Sequence, residues 1–156
     1  MAAGVQSYGQ MQDIDTMLKQ LIAACGESEE CLGRAAKGVH REDLRNRFTG
    51  IAIQRAEFAD ELSEQMRKVG EIPPVSEGSS EPEREWREKQ TTTRLKDDTG
   101  FLRECEAVEE NTLSQYERAL TFPLPPVIQP IVNRQRLAIQ EALMELRDLE
   151  HFRKAS

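Results

Sequence analysis

The sequence predicts an all-α fold: a four-helix bundle built from two antiparallel helical hairpins joined by a long crossover. Three observations carry this. Four segments repeat their apolar residues with a period near 3.6, and glycine or proline punctuation falls between them. The composition is 38% hydrophobic and 31% charged but only 5% aromatic, which suits charged outer faces around an interior of Leu, Ile, Met and Ala. A β sandwich would draw more heavily on Val, Thr and aromatic residues. At 156 residues the chain is long enough for one domain with a core, and too short to need two.

The first helix is expected from about Asp13 to Val39, with Ile14, Leu18, Leu21, Ile22, Cys25, Leu32, Ala36 and Val39 on one stripe. A polar break at residues 40–43 separates it from the second, whose stripe runs through Leu44, Phe48, Ile51, Phe58, Leu62, Met66 and Val69. Gly70 then offers a C-terminal cap. The third helix spans about Asp98 to Thr121, carrying Leu102, Cys105, Leu113, Tyr116 and Leu120. It ends before Pro123, Pro125 and Pro126, which lack the donor that would carry a helix onward. The fourth is expected from about Pro126 to Phe152, with Ile128, Ile131, Val132, Ile139, Ala142, Leu146 and Leu149 inward. Pro126 suits a first turn, and Pro130 shortens or disturbs it.

Residues 1–12 read as a loosely ordered N-terminus and residues 13–153 as a single bundle domain, with the crossover at about 71–97. The crossover opens on Ile72, Pro73, Pro74 and Val75 and becomes charged and potentially helical around residues 81–96. Its length crosses the whole height of a bundle, so the second hairpin need not follow in simple up-down order. The lone Trp86 is expected to pack the crossover onto the bundle.

A formal net charge of −7 and the lack of a concentrated basic patch speak against nucleic acid or an anionic membrane surface as partner. No apolar run approaches the roughly 18 residues of a membrane span, and residues 1–12 do not resemble a signal peptide. Cys25, Cys31 and Cys105 form no disulfide framework or zinc spacing, so reduced thiols in a cytoplasmic protein are expected. Cys25 and Cys105 read as packing residues; Cys31 lies off the stripe, where its thiol would be accessible. His40 and His151 read as exposed or capping residues. No phosphate-binding loop, nucleophile elbow or nucleotide fingerprint occurs.

One pattern occurs twice, 80 residues apart: Cys25 followed by Glu29 and Glu30, and Cys105 followed by Glu109 and Glu110. On a helical wheel each of the four stripes carries one polar residue near its centre: Glu29, Arg55, Glu109 and Gln135. The turns place them at similar heights, so they are expected to form one polar layer across the core. Arg55 has five donors in a planar fork and suits a carboxylate, while Gln135 both donates and accepts. Two carboxylates against one guanidinium leave an excess negative charge. The layer then implies a shared proton, a water-filled gap or an added cation.

These residues resemble those of the ferritin-like four-helix bundles, and more closely a bacterial family of four-helix-bundle proteins of uncharacterised function. The resemblance covers Asp15 to Asp148. It rests on Cys25, Glu29, Glu30, Ala35 and Ala36; on Gln54 to Ala59 with Glu61 and Leu62; and on Cys105, Glu106, Glu109, Glu110, Tyr116, Ala119 and Leu120. Arg134 and Gln135 are a weaker match. A ferritin-like di-metal site is expected to take a glutamate from helices one and three plus Glu-x-x-His from helices two and four. Glu29 and Glu109 resemble half of that set, but Arg55 and Gln135 stand on the facing helices and the histidines are missing.

The resulting expectation is a non-enzymatic bundle with a Glu-Arg-Glu-Gln layer in place of a di-metal site and without a cofactor. The resemblance implies a stress-related or interaction role, with an unidentified protein partner or a second copy of the chain. The alternative is a divergent metal-binding oxidoreductase holding iron or manganese at Glu29 and Glu109.

Overall fold

The computed structural model describes the backbone of residues 8–68 and 97–155 and the side chains of residues 13–68 and 97–150. Trp86, Gly70, most of the expected crossover, residues 1–7 and the His151 side chain lie outside the described residues. Within them the chain forms α1 (Tyr8–Gly38), α2 (Glu42–Lys68), α3 (Asp98–Ala119) and α4 (Gln129–Ala155). All four expected helices are present.

Two boundaries differ from the sequence expectation. α1 begins at Tyr8 rather than near Asp13, because residues 8–12 contain no proline and an established helix extends one hydrogen bond at a time. α4 begins at Gln129 rather than near Pro126. The Pro125 carbonyl accepts from the amides of Ile128 at 2.9 Å and Gln129 at 3.0 Å, so a turn comes before the helix. Pro130 then sits in the first turn, where the missing N–H has no intrahelical partner to lose.

Contacts fix the helix directions. The Arg45 guanidinium near the start of α2 donates to the Ala36 and Val39 carbonyls at the end of α1, at 3.2 and 2.8 Å. Asp98 at the start of α3 accepts from the His40 amide at 2.8 Å and the Arg41 amide at 3.1 Å. α1 is therefore antiparallel to both α2 and α3. α3 packs on α4, and α4 reaches α2 through the ion pairs Arg134–Glu61 and Arg47–Glu145. Around the bundle the order is α2, α1, α3, α4, with α2 and α3 diagonal and parallel. Lys68 and Asp97 consequently lie at opposite ends, which is the long-crossover connection.

The apolar interior falls into two halves. One gathers Leu21, Leu62, Met66, Val132 and Ile139; the other gathers Leu32, Leu44, Phe48, Leu102 and Leu146. Each fully buried side chain of this size stabilises the fold by about 1.5–3 kcal/mol. Gly38 closes one end: a Cβ there would overlap the Phe101 ring, so α1 and α3 meet closely only through a glycine. Between the halves lies a band of polar side chains.

Candidate functional site: a buried polar layer

Arg55 of α2, Glu109 of α3 and Gln135 of α4 are fully buried. Arg55 and Glu109 reach each other across the bundle diagonal. Nη2 donates to Oε2 at 2.7 Å, and Nε lies 3.3 Å from both carboxylate oxygens. Nη1 donates to Gln54 Oε1 at 2.8 Å, and the guanidinium carbon sits 5.3 Å from the Phe58 ring centroid. This satisfies most of the fork and gives its face a cation–π contact, the conditions under which a buried ion pair persists.

Glu29 is not part of the layer. It is only partly buried and faces the outside of the α1–α2 hairpin, lining a groove with Ile53, Glu57 and Asp60. Burial and the neighbouring carboxylates of Asp60 and Glu30 push its pKa up. The α1 position in the layer belongs to Ser28, which is fully buried and donates its hydroxyl proton to Glu109 Oε1. The physical reason is charge: one guanidinium compensates one carboxylate, and a second buried carboxylate would lack a counterion. A serine hydroxyl completes the coordination of Glu109 without adding charge.

A second chain of hydrogen bonds runs beside this pair. The Tyr116 hydroxyl donates to Gln135 Oε1 at 2.7 Å, so its single proton is committed, and the Cys25 thiol 3.0 Å away donates to the Tyr116 oxygen. Gln135 Nε2 donates to Glu61 Oε1 at 2.8 Å and to the Phe58 carbonyl at 3.4 Å. Arg134 closes the chain on Glu61 Oε2. Burial pushes the Cys25 thiol up to about 11 and the Tyr116 phenol well above its usual range. Both groups stay protonated at neutral pH, as structural hydrogen-bond donors rather than nucleophiles.

Cys31 also departs from expectation. It is buried, not accessible, and it meets Cys105 between α1 and α3. The neighbouring thiol and burial together push Cys105 far up, so Cys105 supplies no thiolate. The His40 side chain is exposed. The layer members missed from the sequence are Ser28, Gln54, Glu61 and Tyr116. Tyr116 alone gave a signal, since a tyrosine on an interior stripe needs a partner for its hydroxyl.

Among the described residues, no three His, Cys, Asp or Glu side chains converge as a metal-holding group, and no helix is long and apolar enough to cross a membrane.

Comparison with solved structures shows the fold. The chain is similar to a point mutant of Mycobacterium smegmatis Dps1 with a TM-score of 0.72 and 13% sequence identity, covering 93% of this chain and 99% of that one. The architecture is the ferritin-like four-helix bundle. No curated protein sequence matches. Residues 13–121 match the family model described as a domain of unknown function, DUF2383, and with more than half of its length in that match the chain belongs to this family.

Proposed function

We propose that this protein is a non-catalytic ferritin-like bundle that works through protein contact, its central layer serving to fix helix register. The observation that carries the reading is the fully buried Arg55 guanidinium held on Glu109. It places a permanent positive charge where a bundle of this kind would need to concentrate carboxylates around a cation. The other polar groups at this height are a hydroxyl, a phenol, a thiol, two primary amides and the Glu61 carboxylate, which Gln135 and Arg134 already hold, a weak donor set for iron or manganese. Glu29, the other carboxylate of the expected metal pair, faces the opposite side of its own hairpin. The donors present do not suit a di-metal centre.

A polar layer between two apolar halves opposes sliding of the helices by a turn, because any shift would separate Arg55 from Glu109 in a low-dielectric interior. The outer face of the α1–α2 hairpin leaves Ile53 exposed over a groove lined by Gly33, Ala52 and Ala56, which supports contact with another protein surface there. The test is anaerobic Fe²⁺ titration of protein purified without chelator, followed by oxygen. No stoichiometric binding and no oxygen consumption above buffer are expected. Stoichiometric iron with oxygen uptake that disappears in Glu109→Gln would overturn the reading.

A further inference from the structure

The outer face of the α1–α2 hairpin carries a groove of about 730 Å³ whose floor is glycine and alanine, including Gly33 and Ala56. At its centre stands Ile53, 56% exposed. Charge is sorted along it. Arg45 and Lys37 lie at one end, where Arg45 caps the last turn of α1. Glu57 and Asp60 lie at the other, with Glu29 between that end and Ile53. Lys37, Glu57 and Asp60 make no ion pair among the described residues, and burial, with the Asp60 and Glu30 carboxylates, raises the pKa of Glu29.

The spacing of these charges about Ile53 is nearly symmetric. Arg45 precedes Ile53 by eight residues and Asp60 follows it by seven. At 1.5 Å per residue these are offsets of about 12 and about 10 Å in opposite directions. A two-fold axis through Ile53 exchanges the two ends, laying the basic end of one copy on the acidic end of the other twice over. Such self-complementarity is the requirement of an isologous dimer, and a groove floored by small residues lets two helical hairpins approach closely.

We infer that this groove is the homodimer interface, with Ile53 of each copy on the two-fold axis and Lys37 and Arg45 facing Glu57 and Asp60 of the partner. The inference takes up the contact role proposed above and names a second copy of the chain as the partner. Iron chemistry tests the one and hydrodynamics the other, so each fails separately.

The test is sedimentation equilibrium of the full chain, with circular dichroism to confirm that each variant is helical. The wild-type chain is expected at twice its 17.8 kDa monomer mass. Ile53→Glu is expected to raise the dissociation constant at least tenfold. Lys37→Glu and Asp60→Lys, both at exposed positions, are each expected to weaken the dimer, and the two together to restore it, since the reversed charges again face opposite partners. Three results would overturn the inference. One is a wild-type chain still monomeric at about 100 µM, as when residues 69–96 or another protein cover the groove. Another is a dimer indifferent to Ile53→Glu. The third is failure of the double charge reversal to recover association.

Discussion

At the residue scale the determining choice is how one buried carboxylate is balanced. Glu109 is held by a bidentate guanidinium and a serine hydroxyl, so removing Arg55 alone leaves a charge without compensation in the core. Arg55→Leu is therefore expected to destabilise by about 3–5 kcal/mol in urea denaturation, whereas Arg55→Leu with Glu109→Leu recovers most of that loss. A single-variant cost under about 0.5 kcal/mol would mean that the pair contributes nothing. A second carboxyl responds to pH instead. Burial and the adjacent Glu150 raise the Glu106 carboxyl from 4.5 to about 7. Between those values the folded state binds the proton that the unfolded state has released, so this group makes stability fall as pH rises from about 4.5 to about 7. Glu106→Gln is expected to narrow the difference in Tm between pH 5 and pH 8; an unchanged difference would show that Glu106 titrates normally. The wheel placed Arg55, Glu109 and Gln135 on inward stripes because their apolar neighbours on both sides fix the face. It did not decide between Ser28 and Glu29, which lie three and four residues after Cys25 and share a face at that precision. The repeat of Cys-x-x-x-Glu-Glu favoured Glu29, but burial follows charge balance across helices, and a repeat within the sequence does not record which copy faces the one arginine.

At the element scale the four helices were legible because apolar period and proline punctuation act locally. Their mutual capping was not. Asp98 reads in sequence as an acid in the first turn of its own helix, favourable to that helix dipole. In the fold it accepts from the His40 and Arg41 amides ahead of α2, 58 and 57 residues away. Arg45 returns the favour by binding carbonyls at the end of α1. One corner thus joins three helix ends through charge-assisted hydrogen bonds that no local window contains. Asp98→Ala is expected to cost about 1–2 kcal/mol, the range for losing a helix cap, and to speed amide exchange in the first turn of α2 more than at its middle. Exchange that accelerates uniformly along α2 would show that Asp98 acts on the whole bundle rather than on this end.

At the scale of the whole molecule, topology sets a length requirement that composition does not express. α2 and α3 run parallel on the bundle diagonal, so Lys68 and Asp97 are separated by about the length of α2. Its 27 residues at 1.5 Å each give about 40 Å. An extended chain covers at most about 3.5 Å per residue, so roughly 12 residues are the least that join these ends in one molecule. Replacing residues 69–96 by an 8-residue Gly/Ser linker, which reaches about 28 Å, is expected to abolish the cooperative thermal transition of a closed monomer. Assembly would then require hairpins from different chains. A 24-residue Gly/Ser linker reaches far enough and is expected to keep that transition, because each doubling of loop length costs only about 0.6 kcal/mol. Both variants are best made with Ile53→Glu, which separates hairpin exchange from association through the α1–α2 groove. If the 8-residue chain melts as a cooperative monomer, then α2 ends where α3 begins, and the diagonal pairing of Arg55 with Glu109 cannot hold.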